Sequence, residues 1–257
     1  MLNNFFKKVS FRIQRSVHQI QLRDGLCFVL RVFLPKLELS KGNVSLVICK
    51  TEEEMASDLF KEGFTGLGVA LSESQLNAIL SKLEQINCYD LNNKDKTVVD
   101  LSNPGKEVQL AHYDREDLLE IPEIVAIAND SRVLNAVSEY LGVKPTISNV
   151  NCWWSFGDRE SAKEAQFYHR DLDDYKFLKM FFYLTDVNAD SGPHIYVKGS
   201  HKVNELLELR RFSDEEVESK FDKITTLIEP KGSCFIEDTY GIHKGQLPLK
   251  GKRLLLQ

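Results

Sequence analysis

Apolar and polar positions change their rhythm twice along this chain. In the first fifty residues Phe5, Phe6, Val9, Phe11, Ile13, Val17 and Ile20 mix helical and strand periods, and no element is assigned there. The pattern sharpens at Thr51-Glu52-Glu53-Glu54 and again at Ser72-Glu73-Ser74-Gln75. Both are capping boxes, in which a hydroxyl accepts from a first-turn N–H and the later side chain reaches back, so each predicts a helix start. After the second box Leu76, Ile79, Leu80, Leu83 and Ile86 make one apolar face at helical spacing. Between the boxes, Gly63-Phe64-Thr65-Gly66-Leu67-Gly68-Val69 lacks the Lys-Ser/Thr ending of a phosphate loop and does not match G-x-G-x-x-G, so it reads as a short strand with turns. Residues 88–121 are polar and read as loop, closed by Ile121-Pro122. Asp130 opens a further helix carrying Val133, Leu134, Val137 and Leu141, with Gly142 as its left-handed stop.

Beyond Pro145 the period becomes two. From Ile147 to Phe156, the apolar set Val150, Cys152, Trp154 and Phe156 alternates with Asn149, Asn151, Trp153 and Ser155. An exposed edge strand produces that alternation, and so does a strand lining a barrel mouth; in the second case Asn149, Asn151 and Trp153 become a substrate wall. Further strands are predicted at 178–184, 195–197, 224–228, 233–236 and 254–256, with turns at 188–193 and 240–241. Ser213-Asp214-Glu215-Glu216 is a third capping box, opening a short charged helix on a loop. Helices first and strands afterwards predict a mainly β protein with flanking helices, its core a sandwich or small barrel preceded by N-terminal helices.

Composition narrows the class. A 257-residue chain with 42% hydrophobic and 28% charged residues is an ordinary globular protein. The expected division is a basic N-terminal extension, 1–50, and one domain, 51–257. A net charge of −5 argues against nucleic acid as the partner. Residues 1–50 hold nine cations against two anions, a net of +7 that leaves −12 for the remainder. That asymmetry suits a solvated basic face, or a surface that touches anionic lipid or an acidic partner. Cys27, Cys49, Cys88, Cys152 and Cys234 are scattered and odd in number, which fits reduced thiols and a cytoplasmic location better than a disulfide frame. Leu26–Leu34 is too short to span a bilayer and contains Arg31, so neither a transmembrane helix nor a signal peptide is expected.

Candidate chemistry gathers at His169, Asp171, His243 and Arg253. In an extended segment the period of two puts His169 and Asp171 on one face and turns Arg170 away. Two imidazoles and one carboxylate on one side of a metal leave adjacent positions open, the arrangement that suits Fe(II) binding a bidentate co-substrate and then dioxygen; manganese fits the same ligands. His243 lies 72 positions after Asp171, and Arg253, ten further on, offers a planar fork for a distal carboxylate. Lys179 and Tyr183 share a strand face and read either as co-substrate contacts or as core lining. His194 and His201 read as structural, His18 and His112 as surface residues.

These residues resemble the phytanoyl-CoA dioxygenase family of Fe(II)- and 2-oxoglutarate-dependent oxygenases. The likeness runs from about Thr51 to the end: Phe60-Lys61-Glu62-Gly63-Phe64 is similar to its start, and Asp130–Gly142 to its helix before the core. His169-Arg170-Asp171 resembles its metal motif, and Ser191-Gly192-Pro193 through Gly199-Ser200-His201-Lys202 its following segment. The chain departs from the family in having Arg170 where Gln is frequent, and Lys244-Gly245 where a small hydroxyl residue often follows the distal histidine. The resemblance implies a double-stranded β-helix (jelly-roll, cupin-like) core, with His169, Asp171 and His243 as metal ligands and Arg253 as anchor of 2-oxoglutarate. It implies Fe(II), 2-oxoglutarate and O2 as cofactor and co-substrates, and hydroxylation of a small-molecule or carrier-bound substrate with release of succinate and CO2. Halogenating relatives lack the carboxylate, so Asp171 favours hydroxylation. Two readings compete: a non-catalytic metal- or ligand-binding β-helix protein docked by its basic arm to a partner or membrane, and a cupin-type isomerase or lyase.

Overall fold

Strand alternation in the second half of the chain resolves into two antiparallel sheets. The computed structural model describes residues 15–36, 42–91 and 96–257, so the run from Phe5 to Ile13 lies outside the described residues. The strands are β1 (Phe64–Val69), β2 (Cys88–Asp90), β3 (Thr97–Val98), β4 (Leu110–Tyr113), β5 (Cys152–Phe156), β6 (Lys179–Tyr183), β7 (His194–Val197), β8 (Ile224–Leu227), β9 (Ser233–Glu237), β10 (His243–Gly245) and β11 (Lys252–Leu256). Eight form one sheet in the order β1-β9-β6-β11-β5-β4-β2-β3, and β10-β7-β8 form a second.

The larger sheet is apolar on both faces. Outward, Cys152, Phe182, Cys234, Ile236, Leu254 and Leu256 pack against Leu59, Ile79 and Leu83 from the helices. Inward, Phe64, Phe181, Tyr183, Phe235 and Leu255 meet Tyr196 and Leu227 of the smaller sheet. Two opposed sheets around an apolar interior, flanked by helices, are the double-stranded β-helix. The register is set by apolar cross-strand pairs such as Phe181 opposite Phe235 and Tyr183 opposite Leu255.

Helices α1 (Ile20–Arg31), α2 (Glu52–Glu62), α3 (Glu73–Leu83), α4 (Arg115–Leu119), α5 (Pro122–Ala128), α6 (Ser131–Leu141) and α7 (Asp214–Glu218) complete the described elements. All three capping boxes form with both reciprocal bonds, at α2, α3 and α7. Asp130 caps α6 with its carboxylate, and Gly142 ends it at φ 75°.

Three expectations change. Residues 88–121, read as loop, supply β2, β3, β4 and α4. These strands are two to four residues long and gain their identity from partners, as when Ala111 pairs with Trp154 and His112 with Trp153. The strand expected from Ile147 begins only at Cys152, because 146–149 is exposed and unpaired with the sheet. The segment around His169 is not a regular strand: two isolated bridges, Tyr168 to Phe212 and His169 to His243, carry its pairing.

Candidate metal centre

His169 and His243 are joined by the backbone before their side chains meet. Each N–H donates to the other's carbonyl at 3.0 Å, which sets the two rings 4.3 Å apart. Asp171, anchored by its N–H on the Thr239 carbonyl at 2.9 Å, brings its carboxylate to the same place. Its oxygens lie 3.6 Å from His169 Nε2 and 3.4 Å from His243 Nε2. One ligand atom from each of the three residues falls within 4.8 Å of the others.

The tautomers follow from the partners. His169 Nδ1 faces the Phe167 carbonyl and His243 Nδ1 the Gly241 carbonyl, each at 2.9 Å. A carbonyl only accepts, so each Nδ1 carries the proton and each neutral ring offers its Nε2 lone pair to the cluster. Burial, helped by the neighbouring His243, pushes His169 down to about 3 and keeps it neutral. For Asp171 burial works upward, yet His243, Lys179 and His169 override it and hold the carboxyl below the ordinary range. Burial opposes charge on His243, but the Asp171 carboxylate overrides it and raises that ring. Two buried imidazole lone pairs and an ionised carboxylate are a donor set for a divalent ion of the iron type, and a dication there replaces the proton that Asp171 stabilises on His243.

Arg253 sits on β11 of the larger sheet, 3% exposed. One terminal nitrogen donates to the Gly192 carbonyl, the other reaches Ser155 Oγ at 3.4 Å, and Nε has no partner. Among the described residues no carboxylate forms an ion pair with it. Burial lowers its pKa, with Tyr183 the one opposing influence. A buried guanidinium with spare donors is a demand for an anion. Gly192 turns at φ 73°, and a Cβ there would lie 2.4 Å from the Gln246 carbonyl, so glycine lets the chain pass close enough to present its own carbonyl. Gly245 likewise leaves room for the arginine, whose terminal nitrogen would stand 3.2 Å from an added Cβ.

The other residues singled out in the sequence divide. Lys179 joins the cluster, with Nζ 2.7 Å from Asp171 and 2.9 Å from Asp173. Tyr183 is fully buried and already engaged, its hydroxyl donating to the Leu227 carbonyl and accepting from the His194 N–H. Trp153 packs on the inner aromatic cluster and stacks 5.9 Å from His112, which is half-buried rather than at the surface. Asn151 pairs with the Gln257 side chain at 3.1 Å, and Asn149 is exposed, so neither is brought to the triad. Lys244 points out of the site, onto Asp214 at 2.6 Å.

The roles of three residues were not read from the sequence. Ser155 lay on the polar face of β5, and that alternation was its signal. Arg170 spends five N–H bonds on the carbonyls of Ser200, Val203, Glu205, Leu206 and Tyr240, 2.6–3.3 Å away. Glu237, fully buried, binds His194 Nε2 at 2.8 Å and leaves its second oxygen without a partner, while the His194 ring stacks 5.7 Å from His243. No local pattern marks that carboxylate, which looks like the polar end of a strand until β7 faces it.

Two opposed sheets, a two-histidine, one-carboxylate cluster between them and an unpaired buried arginine alongside define the architecture of the non-haem iron, 2-oxoglutarate-dependent oxygenases. The family model for phytanoyl-CoA dioxygenase (PhyH) matches residues 60–246, and the chain belongs to that family. It is accordingly a non-haem Fe(II)- and 2-oxoglutarate-dependent enzyme. Among solved structures, the chain is similar to the non-haem alpha-ketoglutarate-dependent carbocyclase SnoK from nogalamycin biosynthesis, at 16% identity and a TM-score of 0.59 over 80% of this chain and 84% of that one. HygX from Streptomyces hygroscopicus with nickel and 2-oxoglutarate bound matches at 18% identity and 0.54, over 79% and 84%. EvdO2 from Micromonospora carbonacea var. aurantiaca, complexed with 2-oxoglutarate, matches at 14% and 0.54, over 82% and 92%. These likenesses carry the fold. No curated protein matches the chain. Among the described residues no helix is long and apolar enough to cross a membrane.

Proposed function

We propose that this protein hydroxylates a C–H bond of a small or carrier-bound organic substrate, with Fe(II) held by His169, Asp171 and His243 and 2-oxoglutarate anchored through Arg253. The observation that carries this reading is the convergence of three ligand atoms within 4.8 Å, with both imidazoles fixed in the tautomer that points Nε2 inward. Iron and 2-oxoglutarate together supply the activation of dioxygen, with succinate and CO2 as the co-products. Asp171 contributes the negative charge and occupies the position that halogenation would need vacant. Lys179 pairs with the same Asp171 oxygen that faces His243 and also with Asp173, so it would keep a partner in Asp173 with a dication on the Asp171 carboxylate. Arg253 receives the far carboxylate of 2-oxoglutarate with the donors that Gly192 and Ser155 leave free, a charge-assisted bond strengthened by the burial of the guanidinium. Tyr183 serves by holding β6, β7 and β8 together behind that pocket. Trp153 forms the wall nearest the substrate, and Asn151 and the exposed Asn149, further from the triad, are its outer contacts.

We take residues 51–257 as the catalytic unit, preceded by a basic N-terminal extension, and the five unpaired cysteines support a reducing, cytoplasmic setting. Anaerobic addition of Fe(II) and 2-oxoglutarate tests the centre. The expected result is a weak visible charge-transfer band and, in air, 2-oxoglutarate-dependent succinate formation, both lost in Asp171→Ala. A band that survives in Asp171→Ala removes the triad assignment; no band in the native protein leaves the non-catalytic reading in its place.

A further inference from the structure

Helix α1 is inverted. Its inward positions are Ile20, Arg23 and Cys27, 8%, 3% and 9% exposed. Polar groups anchor it: Arg23 donates to the carbonyls of Val17 and Asp174 and lies 4.1 Å over the Tyr240 ring. Arg31 Nε donates to the Leu141 carbonyl at 2.8 Å, and the Ile20 N–H to Asn204 Oδ1 at 3.1 Å. The opposite side is apolar and bare. Leu22, Leu26 and Val29 stand at i, i+4 and i+7, and Phe33 continues the stripe in the following turn, at 57%, 38%, 55% and 80% exposure. Phe28 and Val32 flank it at 71% and 72%. Eight of the 21 exposed large hydrophobic side chains of the described residues fall between Leu22 and Leu34, a concentration that scattered surface residues do not produce.

Charge identifies the occupant. The apolar stripe belongs to the fifty residues whose net charge is +7, in a chain whose remainder is −12. An apolar helix face in a cationic stretch of an otherwise acidic chain is complementary to a bilayer with anionic headgroups: acyl chains take the stripe, and headgroup phosphates the exposed Arg15 and Lys36 and the rest of the stretch's positive charge, in which Arg23 and Arg31, turned inward, take no part. An acidic protein partner would satisfy the cations but not the breadth of aliphatic and aromatic surface.

We propose that the outward face of α1, within the basic stretch of sequence that contains it, docks this protein peripherally on an anionic lipid bilayer. The docking is independent of the reaction proposed above. It does constrain it, because α1 is fastened to the segment between Asp171 and Lys179: Ile20 packs on Leu172, and Arg23 holds the Asp174 carbonyl. The candidate centre is thereby held at a fixed attitude to the surface.

The test is flotation of the full chain with vesicles of phosphatidylcholine alone, or mixed two to one with phosphatidylglycerol, at low and high salt. Binding to the mixed vesicles, weakened by salt and by omission of phosphatidylglycerol, is expected. Leu26→Glu/Val29→Glu should weaken it at least roughly tenfold, and Phe33→Glu, beyond the helix end, should weaken it in the same direction. Both variants alter exposed positions and should keep the native melting temperature and the Fe(II)/2-oxoglutarate band. Failure of the native chain to float, or undiminished floating of both variants, overturns the proposal. So does a concentration-dependent dimer that the variants abolish, since the face is then a contact between two copies.

Discussion

Arg170 and Arg253 are buried alike, at 9% and 3% exposure, and both stand beside the candidate centre, yet they are in opposite states. Arg170 has every donor spoken for by five carbonyls, and it ties the 200–206 segment and Tyr240 to the backbone of the metal motif. Arg253 has a carbonyl, a distant hydroxyl and an empty Nε. Burial does not distinguish a structural arginine from one that awaits a ligand; the accounting of donors does.

Substitutions turn that contrast into measurements. Arg170→Ala should cost most, about 4 kcal/mol or more, because five carbonyls, three of them in fully buried bonds, lose their partner at once. Urea unfolding measures it, and a loss below about 1 kcal/mol would show that the clamp is replaceable by water. Arg253→Leu should leave stability within about 1 kcal/mol, since an uncompensated buried charge is removed. It should weaken 2-oxoglutarate roughly hundredfold while Fe(II) is retained. Titration calorimetry with each ligand separates the two, and an unchanged co-substrate affinity would place the anchor elsewhere. Lys179→Met has the smallest expected effect: Fe(II) binding tightens by a factor of roughly three to ten as a cation next to Asp171 is deleted. If that variant loses 2-oxoglutarate affinity instead, Lys179 is a co-substrate contact.

The sequence makes legible those features that are written locally. Capping boxes, the Gly142 stop and the alternating strands need only neighbouring residues to declare themselves, and they formed, the strand expected from Ile147 only from Cys152 onward. His169, Asp171, His243 and Arg253 were legible as a set because spacing and resemblance pointed the same way, and the structure brings the first three together. What stayed hidden depends on partners far away. β4 becomes a strand only against β5. Glu237 gains meaning only opposite His194, 43 residues earlier. Asn149 and Asn151 share the period of Ser155 but not its depth, and period alone does not report depth. Helix α1 escaped because its pattern is reversed: with Arg23 inside and Leu26 outside, a search for an apolar face toward the core finds the wrong side.

The paired backbone bonds between His169 and His243 carry a consequence for how this chain tolerates change. The two rings are separated by 74 positions but fixed by a single rung of two hydrogen bonds, each 3.0 Å. The charged helix at Asp214–Glu218 lies between those positions and is tied to the neighbours of both histidines: the Phe212 N–H donates to the Tyr168 carbonyl at 2.9 Å, Val217 is buried with Tyr168 and Ile242, and Asp214 pairs with Lys244 at 2.6 Å. A change of length in that excursion therefore reaches the bite of the cluster unless it spares those three ties. The loop is a buttress of the site, and the spacing of the two imidazoles depends on it.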